Sequence, residues 1–141
     1  MGIGAVISQK DEKGLEYVIA YTSRTLRGPE KNYHTTVLEC LAITWAVKQF
    51  KHYVYGSNFT VFTDHKPLET LMTKDSTNNQ LQRMAMQLQD YRTDMVIKYR
   101  EGKKNVVADA LSRAPINIVA TISHEINKTM LNTTRHNNWD E

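Results

Sequence analysis

The chain has 141 residues, and 40% of them are hydrophobic, which suits one domain with a buried core. Its net charge of +3 permits contact with a polyanion without requiring it, and a single cysteine, Cys40, excludes an internal disulfide. No apolar run approaches the ~20 residues that cross a bilayer, and no basic-then-apolar leader opens the chain. We therefore expect an intracellular protein of the cytoplasm or nucleus, not secreted and without a membrane partner.

The N-terminal half contains four predicted elements. Residues 3–8 and 15–22 are β-rich runs joined by a polar turn, which predicts a β-hairpin. After a loop containing Gly and Pro, apolar residues at helical spacing predict a helix over 35–53. The run NFTVFTD at 58–64 then predicts a short strand.

The second half is less regular. Pro67 suits the first turn of a brief helix, and a stripe of apolar residues predicts another helix over 81–91. Residues 94–100 alternate as a strand does. From 116 onward the chain is poor in large apolar residues and rich in Asn and Thr, so 116–141 is interpreted as a poorly ordered tail or linker.

Three carboxylates are the candidate catalytic groups. Glu39 falls in the long helix, Asp64 at the end of a strand, and Asp109 near the start of a last helix that Asn105 can cap. Each also has a purely structural interpretation. Thr36 and Glu39 are spaced as a capping box, Asp64 could cap the Pro-started helix, and Asp109 would oppose a helix dipole.

Phosphodiester hydrolysis explains why several acids would act together. The attacking water must be activated and the departing oxygen stabilised, and two divalent ions ~3.5–4 Å apart meet both needs. Mg²⁺ takes oxygen ligands such as carboxylates. The separations of 25 residues from Glu39 to Asp64 and 45 from Asp64 to Asp109 are too long for one metal-binding loop, so they favour a site assembled from separate elements. Neither CxxC nor HExxH occurs, and zinc chemistry has no support.

Longer strings carry a family resemblance. They are GIGAV (2–6), EKNY (30–33), ECLAI (39–43), FKHYVYGSNFTVFTDHKPL (50–68) and YREGKKNVVADALSR (99–113). In this order they resemble the ribonuclease H domain that follows reverse transcriptase in long-terminal-repeat retrotransposons of the Ty3/gypsy type. The resemblance assigns 1–115 to one such domain, and it implies an α/β fold with a ribonuclease H-like mixed sheet and flanking helices.

The resemblance also implies a site and its partners. Glu39, Asp64 and Asp109 correspond to the second, third and fourth members of the family's metal-binding catalytic tetrad, which holds two Mg²⁺ ions or Mn²⁺. The implied substrate is the RNA strand of an RNA–DNA hybrid, and the implied partners are the polymerase and integrase parts of a retroelement polyprotein. His65 is a weaker candidate for a general base. The candidate contacts to the nucleic-acid backbone are basic residues, namely Arg24, Arg27, Lys31, Lys66, Lys103 and Lys104.

One departure from the family pattern bears on activity. The family's first acid lies on a strand just upstream of the GIGAV stretch, at the centre of a five-stranded sheet, and this chain begins one residue before that stretch. With the first, central strand missing, we expect a gap or an unusual direct pairing between 3–8 and 58–64. The first hypothesis is a metal-dependent endonuclease module that is weak or inactive as it stands. The alternative is a catalytically dead remnant that at most binds nucleic acid or retroelement proteins.

Overall fold

The computed structural model describes residues 2–74, 78–101 and 118–124. Five strands form one mixed sheet in the order β2-β1-β5-β3-β4. Strand β5 is parallel to β1 and antiparallel to β3, while β1–β2 is antiparallel and β3–β4 is parallel. The bounds are β1 Gly2–Lys10, β2 Glu16–Thr25, β3 Phe59–Thr63, β4 Met95–Tyr99 and β5 Ile118–His124. The predicted mixed sheet with flanking helices is confirmed.

Within the described residues, three α-helices accompany the sheet: α1 Thr35–Gln49, α2 Lys51–Val54 and α3 Asn79–Gln87. Short 3₁₀ turns span Gly28–Asn32, Lys66–Thr70 and Gln89–Tyr91. The single helix predicted over 35–53 is therefore two helices that meet at Phe50, where the backbone leaves helical geometry. No helix in the described ranges combines the length and apolarity that crossing a membrane requires.

The hairpin register is set by its turn. The side chain of Asp11 accepts hydrogen bonds from the backbone amides of Lys13 at 2.9 Å and Leu15 at 2.8 Å. Gly14 completes the turn with a φ of 80°, a conformation that other residues rarely adopt. These bonds fix the pairing of β1 with β2 next to the turn, and the register shifts once farther along, between Ile7 and Ser8.

The interpretation of 116–141 as a tail is wrong for Ile118–His124, which forms β5 in the middle of the sheet. The expected gap, or direct pairing of 3–8 with 58–64, is also wrong because β5 lies between β1 and β3 and pairs with both. The physical reason is a short alternation of side chains between the two faces of the strand. Ala120 and Ile122 face the main core, while Thr121 and Ser123 face the opposite side.

The main core lies between the sheet and α1. Helix α1 packs on β1 and β5, and α3 packs in turn on α1. Ile43 of α1 is buried together with Ile7 of β1, Ile122 of β5 and Val61 of β3. This packing holds the first turns of α1 over the sheet and so positions Glu39.

Candidate active site

Two of the predicted acids lie together. Glu39, in the second turn of α1, is only 8% exposed, whereas Asp64, immediately after β3, is exposed to solvent. The protonated carboxyl of Glu39 donates a hydrogen bond to the carboxylate of Asp64. Burial of Glu39 raises its pKa from 4.5 to about 8, and the charge of Asp64 and this hydrogen bond act in the same direction. Glu39 therefore retains its proton near neutral pH when no cation is bound.

The capping-box interpretation of Thr36 and Glu39 is wrong. The N-cap of α1 is His34, and its side chain makes no capping hydrogen bond. Thr36 lies inside the helix, where its Oγ1 is 2.8 Å from Nε2 of His65, and Glu39 turns to Asp64 instead. A second link therefore joins the first turn of α1 to the loop after β3.

Asp64 is not a helix cap either. The 3₁₀ turn that contains Pro67 has His65 as its N-cap, without a side-chain capping bond. The hydroxyl of Thr63 accepts a hydrogen bond from the backbone amide of His65 at 3.1 Å. The Asp64 carboxylate therefore does not cap this turn, and it accepts the hydrogen bond from Glu39 instead.

Asp109, Lys103 and Lys104 lie outside the described residues, so their placement relative to Glu39 and Asp64 stays a prediction. Across residues 2–74, 78–101 and 118–124, no cluster of three or more His, Cys, Asp and Glu side chains gathers as a metal site would. The described half of the candidate site is therefore the pair Glu39 and Asp64.

This pair fits the donor set of a hard divalent cation. Both groups supply carboxylate oxygens, which Mg²⁺ and Mn²⁺ prefer. They come from two elements that packing holds in place, α1 and the end of β3. Burial and the charge of Asp64 both raise the pKa of Glu39, so ionising Glu39 beside Asp64 would be favoured by a compensating positive charge.

The basic residues divide into two groups. Arg24 makes a two-pronged ion pair with Glu30, at 2.7 and 2.9 Å, and its guanidinium lies 5.7 Å from the centre of the Trp45 ring. Hydrogen bonds from Arg24 lower the pKa of Glu30, which also accepts a bond from the Arg27 amide. Arg24 thus stabilises the fold through its contacts with Glu30 and Trp45. The side chains of the other described candidates are exposed, namely Arg27, Lys31 and Lys66.

Sequence reasoning missed the Thr36–His65 link and the strand β5. The link had no sequence signal beyond the proximity of Thr36 to Glu39 and of His65 to Asp64. Strand β5 had one, because Ile118, Ala120 and Ile122 alternate with other residues at a period of two. The surrounding Asn and Thr residues concealed that short pattern.

Comparison with known proteins agrees with this architecture. A family model described as the RNase H-like domain found in reverse transcriptase matches residues 1–91. The Pol polyprotein from transposon opus of Drosophila melanogaster is 43% identical over 114 residues, which cover 80% of this chain and 11% of that protein.

Two further relatives show the same relation. The Pol polyprotein from transposon 412 of Drosophila melanogaster is 40% identical over 125 residues, covering 89% of this chain and 10% of its own length. The Tf2-3 polyprotein of Schizosaccharomyces pombe is 36% identical over 117 residues, which cover 80% of this chain and 9% of that protein. The chain spans about a tenth of the curated relatives it matches, and those relatives are retroelement polyproteins. Because the family model matches residues 1–91 and the sheet is mixed with flanking helices, the chain belongs to the RNase H-like domain family found in reverse transcriptase.

Proposed function

We propose that this domain hydrolyses the RNA strand of RNA–DNA hybrids, endonucleolytically and with Mg²⁺ or Mn²⁺, as part of a retroelement polyprotein. The observation that carries the proposal is the buried Glu39 carboxyl hydrogen-bonded to Asp64 in a domain of this family. Burying a carboxyl beside a second carboxylate is costly, and groups whose pKa is strongly perturbed in this way are characteristic of functional sites.

In this proposal Glu39 and Asp64 hold the cation, and Asp109 supplies a further ligand from the sequence that follows β4. The bound cation would offset the negative charge that develops on the phosphate oxygens during attack. Thr36 and His65 position the two acids by joining their elements. In the reaction a water oxygen bonds to phosphorus, a P–O bond of the RNA strand breaks, and the proton passes to the departing oxygen.

The nucleic acid would be recognised by shape, phosphates and 2′-hydroxyls rather than by sequence. Exposed Lys66 is two residues from Asp64 and can contact a phosphate next to the scissile one. Arg27 directly precedes the 3₁₀ turn before α1, Lys31 lies within that turn, and both would contact the nucleic-acid backbone farther along. The polymerase and integrase parts of a polyprotein are the proposed partners.

The test is cleavage of a labelled RNA–DNA hybrid in Mg²⁺ or Mn²⁺, with duplex DNA as a comparison substrate. We expect weak, hybrid-specific activity that Asp64→Asn and Asp109→Asn each reduce by ~100-fold or more, the scale on which a misplaced group acts. Matched control variants are Glu12→Gln, in the exposed hairpin turn, and Asp90→Asn, an exposed residue beyond α3. Both controls should retain wild-type rates. Equal rates for the site variants and the controls would refute the proposal.

The non-catalytic alternative makes a different prediction in the same assay. Hybrid binding without cleavage, unchanged by Asp64→Asn and Asp109→Asn, would support a binding module. Cleavage that the two site variants abolish would exclude it.

A further inference from the structure

The segment 64–70, which follows β3, passes around the end of β4. On the inner side of β4, the backbone oxygen of Thr63 accepts a hydrogen bond from the backbone amide of Arg100 at 2.8 Å. On the outer side, the carboxylate of Glu69 accepts a hydrogen bond from the backbone amide of Tyr99 at 2.7 Å. The segment is therefore attached to β4 at both of its ends.

The bond made by Glu69 uses an amide at the edge of the sheet. Within the described sheet β4 is an outer strand, and the outer edge of such a strand presents unpaired backbone donors. Successive amides of a strand point to opposite sides, so the amide of Tyr99 faces this edge when that of Arg100 faces β3. Glu69 thus supplies the acceptor that a further strand would have supplied.

Asp64 lies between these two attachments. Thr63 directly precedes it, and Glu69 follows it in the same segment. We propose that Glu69 is a positioning residue for the candidate active site, because its bond to β4 holds the segment that carries Asp64 and so keeps the Asp64 carboxylate beside Glu39. This inference rests on the proposed function, which assigns Asp64 to the cation. It gives Glu69 no contact with the cation or the nucleic acid.

The chain between Glu69 and Asp64 can transmit the constraint. The side chain of Leu68 is buried in the main core, and its backbone amide donates a hydrogen bond to the backbone oxygen of His65 at 3.0 Å. His65 is bonded in turn to Thr36 of α1. A displacement at Glu69 would therefore pass through a short, hydrogen-bonded turn to the residue next to Asp64.

The Glu69 bond has more to offer position than stability. Glu69 and Tyr99 are both exposed, and water can replace an exposed hydrogen bond at little net cost in free energy. The placement of a metal ligand is more sensitive, since losing a supporting interaction around such a ligand costs ~10–100-fold in metal affinity. We therefore expect a clear loss of cation affinity with a small change in stability.

The experiment measures the binding of Mn²⁺ alone to the full chain by titration calorimetry. Glu69→Ala and Glu69→Gln both remove the charge, but only the amide of glutamine retains a side-chain oxygen that can accept the bond from Tyr99. Glu69→Ala should bind Mn²⁺ ~10-fold more weakly than the wild type, and Glu69→Gln should bind it as the wild type does. Glu12→Ala, which removes a carboxylate from the exposed hairpin turn, is the matched control and should keep wild-type affinity.

Three results would overturn the positioning role. Equal weakening by Glu69→Ala and Glu69→Gln would show that the charge of Glu69, and not its bond, affects the cation. Wild-type affinity in both variants would show that the bond does not matter to the site. A lower urea midpoint for Glu69→Ala at unchanged Mn²⁺ affinity would show a purely structural bond.

Amide hydrogen exchange, followed by mass spectrometry, gives a second measurement that does not depend on the cation. Residues 64–70 should exchange faster in Glu69→Ala than in the wild type and in Glu69→Gln, whereas 3–7 of β1 and 37–47 of α1 should be unchanged. Faster exchange in all three segments would mean that the substitution destabilises the whole domain, and it would overturn the local role.

Asp64→Asn in the same titration separates this inference from the proposed function. Weakened Mn²⁺ binding by Asp64→Asn but not by Glu69→Ala would overturn the role of Glu69 alone. Unchanged Mn²⁺ binding by Asp64→Asn would overturn the proposed cation site, and the role of Glu69 with it. Expected Mn²⁺ affinities without hybrid cleavage would support the role of Glu69 and count against the nuclease function.

Discussion

Thr36 and His65 are joined by a 2.8 Å hydrogen bond between Oγ1 and Nε2, although 29 residues separate them in the chain. Thr36 is one turn before Glu39 on α1, and His65 directly follows Asp64. The bond therefore spans the same two elements as the carboxyl pair and fixes their approach. Supporting hydrogen bonds of this kind, made by neighbours of the functional side chains, are expected where a site must keep its geometry.

The first prediction concerns this bond. Thr36→Val keeps the side-chain shape and removes the hydroxyl, so it should lower the free energy of unfolding by ~1 kcal/mol, measured by urea denaturation. Because the two elements would no longer be joined at this point, hybrid cleavage should fall as well. Thr35→Val, at an exposed position of the same turn, is the control and should change stability by less than ~0.5 kcal/mol. An equal effect of the two variants would show that the His65 bond contributes nothing.

The second prediction follows from the raised pKa of Glu39. Between pH 4.5 and about 8 the folded state retains a proton that the unfolded state has lost. The contribution of this group is therefore fully present below pH 4.5 and declines as the pH rises through about 8, with a slope of at most ~1.4 kcal/mol per pH unit.

Glu39→Gln tests this assignment because the amide cannot ionise yet can still donate a hydrogen bond to Asp64. The variant should match the wild type in stability at pH 4.5 and exceed it at pH 8.5, measured by urea denaturation without divalent ions. Glu12→Gln is the control, since Glu12 is exposed in the hairpin turn. Parallel stability curves for Glu39→Gln and the wild type would contradict the raised pKa.

The third prediction separates structural from nucleic-acid-binding cations. Lys66→Ala should weaken hybrid binding and reduce the slope of log affinity against log salt by ~1, as expected for one lost phosphate contact. Arg24→Ala should leave that slope unchanged and lower stability, because Arg24 is held by Glu30 and lies over Trp45. Fluorescence anisotropy over a range of salt concentrations measures the slopes. A reduced slope for Arg24→Ala would show that this residue reaches the nucleic acid.

Much of the fold could be predicted because the periodic patterns were long. The hairpin was recognisable from two β-rich runs around a polar turn, the strand near 58–64 from its β-rich run, the strand near 94–100 from alternation, and α1 from its helical spacing. The break at Phe50 was not predictable, since apolar residues continue through Tyr53 without a Pro or Gly to end the helix. Local periodicity reports which face of an element is buried and not where neighbouring elements interrupt it.

The only part of the candidate site that could be predicted from the sequence was the set of acids that lie in recognisable sequence motifs. Glu39 and Asp64 were singled out together, but each had a capping interpretation that only three-dimensional contacts could reject. β5 was not predicted because a seven-residue strand in a polar context carries little local signal, and its burial depends on β1 and β3. Long-range pairing of this kind is a property of the whole fold.

The last prediction concerns Thr121. Its buried hydroxyl has no partner in the described structure, and its neighbours across the strands are Val6 and Phe62. Thr121→Val replaces the hydroxyl by a methyl group of similar size, so it should raise the free energy of unfolding by ~1 kcal/mol in urea denaturation. Thr60→Val, at a partly exposed position of β3, is the control and should change stability by less than ~0.5 kcal/mol. A destabilised Thr121→Val would mean that the Thr121 hydroxyl has a hydrogen-bond partner in solution.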